Sequence, residues 1–587
     1  MDDLRISASC RCLIAVTLAL GVFGNAAAST AERPNIVLIM ADDLGYTDLG
    51  VYGGEVSTPN INALAERGTL LTSYHTSPLC SPSRAMLMTG VESHRAGLGN
   101  LPETTPLSFR GEPAYLGRLN ERVETLATRL KRAGYRTYMT GKWHLGKDPR
   151  SLPNARGFDR SFALEASGAD NWEQKPYLPI YPEAPWYEDG HPTTLPDDFY
   201  SSRFLVDKLI EYIDSGANQN NPFFAYLAFQ AVHIPVQAPR EYVERYNGVY
   251  DAGWDAIRKA RHERAVELGI VDADAPIGAM PEGLRDWNQL DQPTRERLAM
   301  NMQVNAGMIE AMDHHIGRLI EHLKASGDYD NTTFVFLSDN GPEHNDPLET
   351  PGMALWLDWV DYSLDLDTLG EKGTYGYIGP EFASAAASPH ALFKFYTGEG
   401  GVRVPAIFSG ASIPGPAQIR QPSFVIDIAP TLLEIAGVSR DSPEGIEAIR
   451  GRSLLSALQQ SEQPVREDQD IVAFETAGNV ALFMGDYKLS RNRPRYGDGQ
   501  WKLFNIATDP GETRDLSADQ PERFRLMREH YDAWAEDVGA LEVPEGYDAR
   551  RQLSINSMHD RALRYGPWLL LALVVLVMWR RQRKNAA

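Results

Sequence analysis

The sequence predicts an α/β protein: a large, mostly parallel sheet with helices on both faces, and a small C-terminal subdomain built on an antiparallel sheet. Three observations predict it. Continuous apolar, β-branched runs such as Asn35-Ile36-Val37-Leu38-Ile39-Met40 read as strands buried on both faces, the pattern of a parallel sheet. These runs alternate with amphipathic helical stretches over roughly 400 residues. Beyond about residue 465 the pattern shifts to shorter alternating strands set off by Gly485-Asp486 and Asp509-Pro510-Gly511 turns.

Each element has its own signal. After the first strand, Thr58-Pro59 opens a helix that runs to Arg67 and stops at Gly68, and Thr69 to Tyr74 reads as a strand. Ser81-Pro82-Ser83 can start the next helix, through Gly90. Glu124 to Ala133 is an amphipathic helix stopped by Gly134, followed by a Tyr135 to Thr140 strand. Phe223 to Phe229 is a strand, Asn301 to Lys324 a long helix ending near Gly327, and Thr333 to Leu337 another strand. Val404 to Phe408 is the next strand and Asp427 to Ala436 the next helix. In the C-terminal part, Val480 to Leu489 and Trp501 to Asn505 are strands and Pro521 to Asp537 is a helix. There is no internal repeat and no low-complexity tract.

The 587 residues exceed one ordinary core, and 43% hydrophobic with 23% charged residues is a globular composition. A net charge of -22, from 79 acids against 57 bases, argues against nucleic acid and against a broadly cationic membrane-binding surface. An anionic substrate must therefore be caught by local positive charge. Arg5 and Arg11, the apolar run Cys12 to Phe23 and Ala26-Ala27-Ala28 predict a secretory signal over residues 1–28. Residues 33–460 then form the large domain, 461–540 the subdomain and 541–561 a polar tether. The apolar run within 562–579, followed by the basic tail 580–587, predicts a short transmembrane helix. A surface packing helix is the competing reading. Positive-inside logic leaves the globular part outside the cytoplasm, in the periplasm if the source is Gram-negative.

Polar side chains recur where strands end. Asp42-Asp43 follows the first strand, Gly141-Lys142-Trp143-His144 another, His233 a third, and Asp339-Asn340 a fourth. In open α/β sheets that edge is where ligands bind, although each group alone reads equally as a solvated loop or packing residue. Asp42, Asp43, Asp339 and Asn340 offer only oxygen ligands, which suits Ca²⁺ or Mg²⁺ and not zinc. If the signal is removed, Cys80 is the one cysteine left of three, so it is either an inert small hydrophobe or there for its reactivity. The positive end of the following helix aimed at it favours reactivity and an anion.

The stretch Cys80-Ser81-Pro82-Ser83-Arg84 resembles the signature of type I sulfatases, of the alkaline-phosphatase-like superfamily. The resemblance extends over about residues 33–535 through Asp42-Asp43, Gly141 to Gly146, His233 with Pro235, Asp339-Asn340-Gly341, Lys394, Glu399 to Pro405 and Gly485 to Leu489. Tyr250 to Ile270 resembles the bacterial arylsulfatase branch, and Val232 departs from the proline of many relatives. The resemblance implies that a maturation enzyme oxidises Cys80 to formylglycine, whose hydrated diol attacks sulfur. It also implies calcium in preference to magnesium, held by Asp42, Asp43, Asp339, Asn340 and the modified residue 80. Arg84 would hold the diol, and Lys142 and Lys394 would stabilise charge on the sulfate. Asp339 would take the attacking proton, His233 with Lys394 would protonate the leaving oxygen, and His144 would deprotonate the second hydroxyl. The substrate would be an aryl or carbohydrate sulfate ester. Two alternatives are a phosphonate monoester or phosphodiester hydrolase of the same fold and a membrane-tethered binding protein with Cys80 unconverted. Aromatic residues in Trp172 to Tyr187 and in Pro347 to Tyr377, among them Trp356, Trp359, Tyr362, Tyr375 and Tyr377, are either pocket walls or loop packing.

Overall fold

A computed structural model describes residues 33–217, 221–460 and 464–585. The expected signal, residues 1–28, lies outside the described residues. The large unit is built on a ten-stranded sheet. Across it the strands are Ala417–Ile419, Thr69–Leu71, Ala406–Gly410, Thr332–Ser338, Asn35–Ala41, Phe223–Ala228, Arg136–Lys142, Arg160–Leu164, Trp186–Glu188 and His191–Pro192. The five central strands, from Thr332–Ser338 to Arg160–Leu164, run parallel, as expected of doubly buried apolar runs. Ala406–Gly410 pairs antiparallel to its neighbours, and so do the last two strands of the opposite edge.

Alternation along Asn35–Ala41 divides the core in two. Val37, Ile39 and Ala41 face one apolar cluster, which includes Ile309, Met312 and Ile316 of the helix Gln292–Ser326 and Leu205 and Leu209 of Ser201–Ser215. Ile36, Leu38 and Met40 face the other, with Met86 of Cys80–Thr89, Leu126 and Leu130 of Leu126–Arg132, and Leu432 of Ile428–Ile435. A strand buried on both faces has no polar side to expose, so its register is fixed at both surfaces at once.

Several elements depart from the expected boundaries. The strand expected over Thr69 to Tyr74 splits, because Thr69–Leu71 joins the main sheet beside Ala417–Ile419 while Tyr74–His75 pairs with Ser423–Phe424. The long helix starts nine residues earlier than Asn301, at Gln292, where Asp291 accepts from the Thr294 N–H and Pro293 fills the first turn. Its first turns are too polar to carry an apolar stripe. Residues 549–561, expected as part of a tether, are already helical, within the 37-residue helix Ala549–Asn585.

The subdomain is a four-stranded antiparallel sheet, Ile471–Thr476, Asn479–Met484, Tyr487–Arg491 and Trp501–Asn505. The helix Pro521–Val538 covers it through Met527, Tyr531 and Trp534. Its link to the large sheet is electrostatic as well as apolar. Lys488 is fully buried and holds Glu399 at 2.8 Å and Glu512 at 3.0 Å, while Glu399 also meets His75 at 2.9 Å. Removing one member of such a group strands the others without compensation. Lys488→Met is expected to destabilise the protein by about 3–5 kcal/mol, read as a lowered urea midpoint. An unchanged midpoint would show that the network carries no stability.

Candidate active site

Strand ends deliver the site. Asp42 and Asp43 follow Asn35–Ala41, and Asp339 and Asn340 follow the neighbouring parallel strand Thr332–Ser338. The two ends are tied together: the Asp339 N–H donates to Ala41 O at 3.3 Å and the Asp43 N–H to Asp339 Oδ1 at 3.3 Å. All four side chains are buried. Lys142 ends Arg136–Lys142, and Gly141 before it has φ +109°, where a Cβ would lie 1.7 Å from Ala228 O. Only glycine lets the strand reach that far beside its neighbour and still turn Lys142 inward.

The helix Cys80–Thr89 starts at Cys80 itself, with Leu79 as its N-cap, so Ser81 lies inside the first turn and does not cap. Cys80 Sγ is 3.7 Å from Asp42 Oδ1 and 4.0 Å from Asp43 Oδ1. Burial pushes the thiol pKa well up, against the pull of Lys142 and Lys394, so the helix terminus does not make Cys80 a thiolate. As encoded, it is a weak nucleophile.

Cations answer the carboxylates pair by pair. Arg84, one turn into the helix, donates from Nε to Asp339 Oδ2 at 2.8 Å, while its Nη2 lies 2.8 Å from the same oxygen. Its Nη1 donates to Lys142 O at 2.7 Å. Lys142 Nζ is 2.6 Å from Asp42 Oδ2, and Lys394 Nζ lies 2.8 Å from Asp43 Oδ2 and 3.0 Å from Glu343 Oε2. Burial raises Asp339, but Arg84, Lys142 and Lys394 outweigh it and hold this carboxyl below its ordinary value. For Asp42 and Asp43 burial wins, and both are raised.

The histidines flank this cluster. His233 Nδ1 donates to Ile234 O at 2.6 Å, which leaves Nε2 facing the site, 3.7 Å from Asp43 Oδ2. Burial, reinforced by Lys394 and Lys142, pushes its pKa far down and keeps it neutral. His144 Nε2 is 3.4 Å from Glu103 Oε1, which also accepts from Tyr181 Oη at 2.7 Å. Burial lowers His144 despite Glu103. Burial raises Glu103, but His144 and the hydrogen bonds draw its carboxyl down to about 2.

Every expected residue, Asp42, Asp43, Cys80, Arg84, Lys142, His144, His233, Asp339, Asn340 and Lys394, is buried in this region. Glu103 and Glu343 were not foreseen. Glu343 stands four residues after Asp339 and could have been read with it, whereas Glu103 lies 41 residues before His144 with no local signal. Of the aromatic residues, Tyr177, Trp356 and Tyr375 line the cavity above Cys80. Trp172 lies against Tyr200, 4.5 Å between ring centroids, and Tyr362 and Tyr377 are buried in a loop cluster, so these three are packing.

The donor set fits a hard cation. Oxygens of Asp42, Asp43 and Asp339 and the Cys80 sulfur all lie within 4.8 Å of one another. Asn340 donates from Nδ2 to Asp43 Oδ1 at 2.7 Å, and its Oδ1 is buried with no hydrogen-bond partner, which a cation among these carboxylates would satisfy. A second grouping, Asp43 with His233 and Glu343, is already neutralised by Lys394. Burial raises the Asp42 and Asp43 carboxyls, and a bound cation would favour their ionised form. Calcium binding to the metal-free protein is expected to release protons and to weaken as pH falls, checked by calorimetry in buffers of different ionisation enthalpy. Proton-neutral binding would contradict the raised carboxyls.

The family model described as Sulfatase matches residues 34–438. An uncharacterised sulfatase of Schizosaccharomyces pombe is 35% identical over 540 residues, spanning 88% of this chain and 96% of that protein. An arylsulfatase of Klebsiella aerogenes is 36% identical over 434 residues, 72% of this chain and 91% of that one. The solved structure of Ps i-CgsB in complex with k-i-k-neocarrahexaose superposes with a TM-score of 0.63 at 24% identity, covering 90% of this chain and 98% of that chain.

Proposed function

The chain belongs to the sulfatase family and is a sulfatase, and from that premise we propose that it hydrolyses sulfate esters through a formylglycine made from Cys80 beside a bound calcium ion. The observation that carries this reading is the meeting of Cys80, three carboxylates and three cations in one buried cluster. A sulfur nucleophile would need a depressed pKa, and burial pushes this one the other way. Converted, residue 80 would supply a geminal diol, one hydroxyl to attack sulfur and a second whose deprotonation lets sulfate depart. A bound cation would supply Lewis acidity toward the sulfate oxygens.

The remaining roles belong to the chain's own groups. Lys394, which lines the cavity, and Lys142, paired with Asp42 beside it, supply fixed positive charge for equatorial sulfate oxygens as they gain charge. Arg84 is locked on both sides, by Asp339 and by Lys142 O, and holds residue 80 and the carboxylates at a set separation. Asp339, kept ionised, can accept the attacking hydroxyl's proton. Burial, and then Lys394 and Lys142, depress His233; an arriving sulfate monoester would offset the two lysines and favour a proton at Nε2 that His233 can pass to the leaving oxygen. His144, neutral and backed by Glu103, can take the proton of the second hydroxyl. The leaving group is an aryl or carbohydrate alcohol; the Klebsiella arylsulfatase supports the first and the k-i-k-neocarrahexaose complex of Ps i-CgsB the second. A formylglycine-generating enzyme is the required partner.

Cys80→Ser offers one hydroxyl in place of two. It is expected to release at most about one equivalent of phenol per protein and to keep sulfate on residue 80, read by mass spectrometry of that peptide. Sustained turnover by an unmodified serine would refute the aldehyde mechanism.

We also propose that the protein is exported and held at a membrane by its C-terminal helix. Ala549–Trp579 is, by length and composition, long and apolar enough to cross a bilayer. Residues 549–561 touch the globular unit, however, because Asn556 donates to Glu103 O at 2.8 Å and Thr105 O at 2.9 Å. A truncation meant to preserve activity should therefore fall after Arg561 and not before residue 560. A chain ending at Arg561 is expected to stay folded and to lose flotation with lipid vesicles, whereas the full chain floats. Flotation of both would place the membrane contact elsewhere.

A further inference from the structure

The C-terminal helix does more than follow the globular unit. The cavity of about 430 Å³ that contains Cys80, His233 and Lys394 is closed on one side by Leu553, Ser557 and Met558 of this helix. A second cavity, of about 1270 Å³, starts at His144 and runs past the other flank of the helix to Arg564 and Tyr565. Ile180, Trp356, Leu553 and Arg561 border both, so the helix stands as a partition in one cleft. It is pinned there by the Asn556 hydrogen bonds, by Asp560 on Arg110 at 2.9 Å and by Arg550 on Glu349 at 3.1 Å.

The position of the cleft relative to a bilayer follows from helix geometry. Met558 and Ala562, where the apolar run begins, are four residues apart, about 6 Å along the axis. The wall of the catalytic cavity and the membrane entry point are thus almost the same place. Around it the surface carries exposed apolar side chains in Trp359, Met558 and Leu563, with exposures of 81%, 65% and 64%. Trp359 borders the second cavity together with Tyr565, and aromatic residues of this kind settle at the membrane interface. Arg550 and Arg561 add cations on the way in.

We propose that the substrate is an amphiphilic sulfate ester taken from the membrane. Its sulfated end reaches Cys80, and its apolar body lies between Ile180, Trp356 and Leu553 toward the bilayer. This rests on the sulfatase reading above.

The test uses the full chain, with conversion of Cys80 verified by mass, in vesicles of phosphatidylethanolamine and phosphatidylglycerol. Two esters with the same reacting end are compared: phenyl sulfate in solution and 4-hexadecylphenyl sulfate carried in the vesicles. The wild type is expected to favour the membrane-borne ester. In Leu553→Asp the ratio of the two specificity constants should fall about tenfold or more, while Leu553→Met keeps it. Trp359→Ser, at an exposed position whose loss leaves the core intact, should lower the ratio less steeply. Hydrolysis of phenyl sulfate or of dextran sulfate in preference to the membrane-borne ester, or a ratio that neither Leu553→Asp nor Trp359→Ser alters, would overturn the proposal. Release of sulfate from none of these esters by converted protein would instead refute the sulfatase reading beneath it.

Discussion

The structure depends on keeping six opposite charges together out of water. Asp42, Asp43 and Asp339 face Arg84, Lys142 and Lys394, and none of the six is more than 2% exposed. Each ion left unpaired would cost several kcal/mol of desolvation, so the cluster is tolerable only when every partner is within bonding distance. That requirement reaches outward into the fold. Four of the groups sit at strand ends, and parallel neighbours end on the same side of a sheet, so the doubly buried strands set the spacing of the charges. Arg84 comes from a helix whose ten residues are all buried, which fixes it as firmly as a strand would.

Much of this was legible in the sequence because the signals are local. A β-branched apolar run followed by Asp42-Asp43, or a strand ending in Gly141-Lys142, states both the element and its cargo within ten residues. The sequence also carried the alternation of strand and helix that makes the central sheet parallel. Glu103 was not legible, since nothing near it announces a strand end and its role exists only through His144. The start of the Gln292–Ser326 helix was missed because polar first turns have no stripe to read. The split at Thr69 to Tyr74 was invisible because strand propensity does not say which of two sheets a residue joins. Packing decided Trp172, Tyr362 and Tyr377 against a role in the cavity, although composition alone left both readings open.

The subdomain repeats on a smaller scale the logic of the site. Glu399 lies between His75, Arg403 and Lys488, so a carboxylate that precedes a strand of the main sheet anchors a lysine from the second sheet. The Gly485 to Leu489 stretch thus has a docking role: its turn aims Lys488 at the large unit. Thr397 adds to the seam, donating from Oγ1 to Val480 O at 2.7 Å. The two units share polar groups that neither could bury alone.

The depth at which residue 80 lies has a consequence for the order of events in the life of the chain. Cys80 is 1% exposed, at the start of a helix with no open face. An enzyme that oxidised residue 80 would need contact with its side chain, and at 1% exposure the folded chain gives almost none. The proposed conversion therefore belongs to the nascent chain and races against folding. The fraction of active protein becomes a kinetic quantity, set by how long this stretch stays extended. Two chains of equal final stability could then differ in yield of active enzyme solely because one folds faster.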